Sequence, residues 1–164
     1  SLDIAASMLK AGSYKYALVI GSEKMSEIVN WKDRSVCVLF GDGAGAVVLK
    51  AVDNNTEDVT GASAGQEGGI IDSNIYNDGT GASVLTGGRR FSDSCSTDIF
   101  IHMDGQEVFK FAVKSVPTAI ETLLHNNNMD INDVDKFILH QANVRIIESV
   151  AKRLKLIKIS FQSI

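Results

Sequence analysis

His140 stands where an apolar run, Lys136 to Leu139, gives way to a helix pattern, and Gln141 and Asn143 follow it within three positions. An imidazole beside two carboxamides supplies hydrogen-bond donors and acceptors at one point, and the imidazole can also move a proton near neutrality. On pattern alone a lone histidine is more often a hydrogen-bonded structural residue than a catalyst. Its place favours a site, because ligands collect at the carboxyl ends of strands in open α/β sheets. The helix pattern that follows carries Arg145, Lys152 and Arg153 apart from its apolar stripe, which by itself describes a solvated helix face. A second candidate is "GDGAGA", Gly41 to Ala46. A dinucleotide loop needs strand, G-x-G-x-x-G, then helix, whereas here the glycines run straight into a strand pattern. They suit a tight turn that exploits positive φ, with Asp42 free to cap it. Cys37 and Cys95 are isolated and lack metal-ligand spacing, so no metal site is expected.

The groups must be held by a mixed α/β scaffold. The 164 residues, 45% hydrophobic, are enough for one packed domain or one half of a larger protein. A formal charge of −4 removes the global electrostatic reason to expect nucleic acid. No apolar run reaches the length of about 18 residues that spans a membrane, and two unpaired thiols suit a reducing compartment, so a cytoplasmic protein is the simplest expectation. "LDIAASMLKAG" is a helix pattern closing on Gly12 that begins directly after Ser1, from which a fragment is expected. "YALVIGSE", Tyr16 to Glu23, predicts a strand buried on both faces, and Ala46 to Val52 predicts another after the glycine turn.

From Asp53 to Thr97 glycine, serine, asparagine and aspartate dominate, which reads as a long excursion with room for a hairpin. "GQEVFKFAVKSVPTAIETLLHNNN" returns to helical spacing around the only proline; a helix ending near Lys114 and a second capped by Ser115, with Pro117 in its first turn, are predicted. "KFIL" predicts a strand, and "NVRIIESVAKRL" a helix whose buried face is Ile146, Ile147, Val150, Ala151 and Leu154.

Taken together, "YALVIGSE", "WKDRSVCVLFGDGAGAVVL", "MDGQEVFKFAV" and "LHQANVRIIESVAKRL" closely resemble, in order and spacing, β-ketoacyl-acyl carrier protein synthase III, the condensing enzyme that starts bacterial fatty acid synthesis. The resemblance implies a thiolase-like α/β fold of two related halves. This chain would hold the end of the first half in 1–52, the excursion in 53–98, and the truncated start of the second half in 99–164. It also implies an acyltransferase that joins a short acyl-coenzyme A, acetyl-coenzyme A first, to malonyl-acyl carrier protein. Coenzyme A enters as a thioester substrate, no cofactor is implied, and the full-length enzyme is a cytoplasmic homodimer.

By the same resemblance His140 is the catalytic histidine that donates a hydrogen bond to the malonyl thioester carbonyl. Trp31 and Arg34 resemble the pair that stacks on the adenine of coenzyme A. Gly105, Phe109 and Asn143 resemble residues lining the pantetheine tunnel, and Lys110, Arg145, Lys152 and Arg153 match the basic surface that docks acyl carrier protein. The family's nucleophilic cysteine would lie upstream of Ser1, because neither Cys37 nor Cys95 fits it. Its asparagine would follow Leu154, where "KLIKISFQSI" departs from the family pattern by truncation or a shifted frame. With one of three catalytic groups, the fragment is expected to be inactive alone. The alternative is a thiolase-fold remnant that binds coenzyme A or carrier protein without chemistry.

Overall fold

The computed structural model describes residues 1–52, 69–87 and 100–156. Cys95, most of the excursion and the divergent terminus from 157 onward lie outside the described residues. The elements run α1 (Leu2–Lys10), β1 (Tyr16–Lys24), β2 (Asp42–Lys50), β3 (Leu85–Thr86), β4 (His102–Met103), α2 (Gly105–Asn126) and α3 (Val144–Leu154). They divide into two compact units, one of residues 1–25 with 41–73 and the other of 26–40 with 74–164.

In the first unit β1 and β2 form an antiparallel ladder in register from Tyr16 opposite Lys50 to Lys24 opposite Asp42, and α1 buries Ala6 and Leu9. Two expectations change here. Gly43 and Gly45 do not make a turn: they lie within β2, opposite Glu23 and Gly21, and the one glycine with positive φ among the described residues is Gly12. Pairing with β1 has overridden the local turn preference of the glycines, as context commonly does in strands. Nor is β1 covered on both faces, since Tyr16, Leu18 and Ile20 are each more than 60% exposed.

The second unit has its buried apolar positions at Val29, Val36 and Ile101 and along α2 and α3. β3 and β4 form a short antiparallel pair, Leu85 opposite Met103 and Thr86 opposite His102. The predicted break at Lys114 and Ser115 is absent: α2 is one helix of 22 residues with Pro117 inside it and fully buried. Proline removes the N–H that would bond to the Val113 carbonyl, and Arg153 Nη1 of α3 donates to that oxygen instead at 3.4 Å. The predicted strand at Lys136–Leu139 joins no ladder among the described residues, and Ile138 stands 80% exposed. The predicted α3 face is correct: Ile147, Val150, Ala151 and Leu154 are buried, with Ile146 half-buried beside them.

The three α-helices among the described residues stop in the same way. An N–H one turn beyond the helix reaches back five residues, from Ser13 to the Met8 carbonyl at 3.3 Å, Met129 to Leu124 at 3.0 Å and Leu156 to Ala151 at 3.0 Å. The residue before each donor is left-handed: Gly12 at φ +75°, Asn128 at 53° and Lys155 at 54°. Glycine adopts that conformation without cost and asparagine tolerates it, but lysine is strained there. Lys155→Gly should therefore stabilise the full-length protein by about 1 kcal/mol, seen as a raised urea midpoint with unchanged m; a lowered midpoint would show that the lysine side chain makes a compensating contact.

Candidate functional site

The ten positions singled out by the sequence all fall in the second unit. They are held there by three local devices. In the first, residues 30–40 form a run of turns. Asn30 Oδ1 accepts from the Lys32 N–H at 3.0 Å, and the Asp33 carboxylate accepts from the Ser35 N–H at 2.9 Å and the Ser35 hydroxyl at 2.6 Å. These Ser35 bonds, the hydroxyl's foremost, hold the Asp33 carboxyl below its ordinary range. Trp31 and Arg34 are both exposed on this run, and the Trp31 indole N–H donates to the Ser26 carbonyl at 3.2 Å.

The second device is the start of α2. Asp104 caps it, its carboxylate accepting from the N–H groups of Gln106 at 3.0 Å and Glu107 at 3.1 Å, which satisfies two donors that a helix start leaves open. Gly105 then opens the helix, and Phe109 is half-buried on it. Lys110 is exposed and paired with Glu107 at 2.7 Å. The hydrogen bond and charge of Glu107 raise the Lys110 pKa, so its ammonium persists across the neutral range.

The third device is the join between residues 136–140 and α3. His140 is exposed at the segment's end, Gln141 Nε2 donates to the Leu139 carbonyl at 2.9 Å, and Asn143 caps α3 by accepting from the Arg145 N–H at 2.9 Å. Capping uses the carboxamide oxygen of Asn143 and leaves its NH₂ for other partners. Lys152 and Arg153 lie in the last turn of α3, where the helix dipole favours cations. Arg145 lies in the first turn, where the dipole opposes one, so helix stability gives no reason for a charge there.

An open cleft of about 590 Å³ brings Asp33 together with Ser83, His102, Met103, Asp104, Gly105 and Gln106. It joins the neighbourhood of Arg34 to the start of α2, and His140 and Asn143 are not among its lining residues. Sequence reasoning missed Asp33, Ser83, His102 and Gln106. The usable signal was Asp104-Gly-Gln-Glu, a capping pattern that fixes a helix start; His102 carried none, since two residues of strand leave no periodicity.

Residues 1–68 match the family described as 3-oxoacyl-[acyl-carrier-protein] synthase III, and residues 124–161 match that family's C-terminal region. The chain belongs to this family. A β-ketoacyl-[acyl-carrier-protein] synthase III of Rickettsia bellii is 44% identical over 155 residues, covering 93% of this chain and 44% of the relative. The chain thus spans somewhat under half the length of the curated relatives it matches. The crystal structure of the Aquifex aeolicus 3-oxoacyl-[acyl-carrier-protein] synthase III superposes with a TM-score of 0.77 at 38% identity, covering 99% of this chain and 47% of that one. The Thermus thermophilus synthase III superposes with a TM-score of 0.78 at 35% identity, covering 94% and 46%. The fold is accordingly the thiolase-like α/β fold of these synthases. His140, Asn143, Arg145, Lys152 and Arg153 lie inside the C-terminal synthase III match, Trp31 and Arg34 inside the first, and Gly105, Phe109 and Lys110 in the stretch between them.

Proposed function

We propose that this chain is a segment of a full-length β-ketoacyl-acyl carrier protein synthase III. That enzyme condenses a short acyl-coenzyme A, acetyl-coenzyme A first, with malonyl-acyl carrier protein and so initiates fatty acid synthesis. The observation that carries this is the continuous likeness to proteins of that name on both sides of the Gly/Ser/Asn/Asp-rich excursion, with the His-Gln-Ala-Asn join at the start of α3 included.

In this reading a cysteine outside residues 1–164 attacks the acyl thioester of coenzyme A and becomes acylated, releasing the coenzyme A thiol. Cys37, half-buried in the run of turns after Trp31 rather than at a helix start, has no such role. The malonyl thioester then loses carbon dioxide. The electron pair of the broken bond becomes an enolate whose oxygen accepts a hydrogen bond from the His140 imidazole. The enolate carbon attacks the acyl-enzyme carbonyl, and collapse expels the cysteine thiolate. Trp31 and Arg34, exposed on one turn run, offer an indole and a guanidinium to the adenine end of coenzyme A. Gly105, Phe109 and Asn143 line the path of the pantetheine arm. Lys110, Arg145 and Lys152 face the acidic carrier, and a homodimer is the expected assembly.

The direct test supplies full-length enzyme with acetyl-coenzyme A and malonyl-acyl carrier protein and measures acetoacetyl-carrier and carbon dioxide. Retained binding of either substrate with no product would instead identify a non-catalytic coenzyme A or carrier binder.

Docking has its own test. Arg145 and Lys152 are seven residues apart, two turns, and so share one face about 10 Å long. Arg145→Ala should raise the KM for malonyl-acyl carrier protein several-fold at low salt, the increase shrinking at high salt. It should leave the KM for a small malonyl thioester nearly unchanged. Equal harm to both donors would place Arg145 in support of the reaction site rather than at the carrier's surface.

A further inference from the structure

The one proline of this chain sits in the interior of a helix and yet does not break it. A proline there normally does two things: its ring crowds the carbonyl four residues back, and its missing N–H leaves that carbonyl without a donor. For Pro117 the carbonyl is that of Val113, and it is this oxygen that Arg153 Nη1 approaches, at 3.4 Å, from the last turn of the neighbouring helix. The two helices pack against each other, with Pro117 buried on α2 and Val150, Ala151 and Leu154 buried on α3. A guanidinium suits this task because its planar fork holds several donors at the end of a long stem, one of which can cross to a carbonyl while the others remain in water.

We propose that Arg153 is a positioning residue: it replaces the hydrogen bond that Pro117 deletes and thereby fixes how α3 sits on α2. This separates Arg153 from Arg145 and Lys152, with which the sequence groups it. Its charge is directed to a backbone carbonyl of its own fold, and its influence on carrier recognition is indirect, through the placement of the Arg145 and Lys152 face. That last consequence rests on the proposed carrier docking, whereas the strap itself does not.

The test is a double-mutant cycle in the full-length protein. Arg153→Met keeps an apolar stem and removes every donor, while Pro117→Ala restores a backbone N–H that can serve the Val113 carbonyl directly. Arg153→Met alone should lower the thermal midpoint by about 1–3 °C, as expected for losing one modest hydrogen bond, and should raise the carrier KM about twofold or more with kcat retained. In the Pro117→Ala background the same Arg153→Met change should move neither quantity appreciably, because the carbonyl already has a donor. Equal losses of midpoint and of carrier affinity in both backgrounds would overturn the proposal and return Arg153 to direct docking. A protein without any carrier-dependent activity would sink the functional reading, and the thermal comparison would still decide for or against the strap.

Discussion

His140→Ala in the full-length enzyme is expected to cut carbon dioxide release from malonyl-acyl carrier protein by about 10²-fold or more while leaving acylation of the cysteine by acetyl-coenzyme A nearly intact. The two half-reactions develop charge in different places. Acylation builds negative charge on the oxygen of the acyl thioester bound to the nucleophile, whereas decarboxylation builds it on the malonyl thioester oxygen that His140 is proposed to face. A donor aimed at one of these oxygens stabilises only the transition state that charges it, and removal of such a donor typically costs a factor of 10²–10³. The Asn143 cap three residues after His140 fixes where α3 begins. His140→Gln, which keeps an N–H at a similar reach, should recover part of the lost rate. The measurements are a burst of labelled acetyl transfer from coenzyme A and, separately, carbon dioxide release. Comparable loss in both would mean that His140 serves the cysteine, and that the division of labour proposed here is wrong.

How far the residues announced this arrangement depends on the range of the forces involved. α1 closing on Gly12, β1 from Tyr16 and the buried face of α3 follow from short-range periodicity and capping, and all three are where the pattern puts them. The errors came where a distant partner decides. The glycines of β2 carry a turn signal, but their conformation is set by the ladder with a strand some twenty residues earlier. Pro117 carries a helix-break signal, but Arg153, thirty-six positions later, meets the carbonyl that the break would have freed. Lys136–Leu139 has strand composition, yet a ladder needs a neighbour and none is present among the described residues. The site was legible in the same uneven way. His140 and its basic helix stood out by position, and the family resemblance named their roles. The cleft residues Ser83 and His102 come together only through the two-residue β3–β4 pair, which no sequence window could register.

The second large effect concerns residues 1–164 expressed by themselves, which should not behave as a cooperative folded protein. Among the described residues ten apolar side chains are buried, Pro117 included, too few to offset the conformational entropy of ordering those residues, which costs on the order of 1–2 kcal/mol per residue. Large apolar side chains remain in solvent on several elements instead: Leu18 at 63%, Val48 at 70%, Ile71 at 74% and Ile138 at 80%. The β1–β2 ladder is a sheet of two strands, an arrangement that is marginal in water and that offers unpaired edges to other chains. Exposed apolar faces beside open strand edges favour association over folding. The isolated chain is therefore expected to aggregate, or to stay as a loose species that binds a dye for apolar surface and melts without a transition, whereas the full-length protein melts sharply. Sedimentation, dye binding and a thermal scan on both proteins check this. A soluble monomer of the isolated chain with a sharp transition and no dye binding would show that these apolar faces find partners within residues 1–164 themselves.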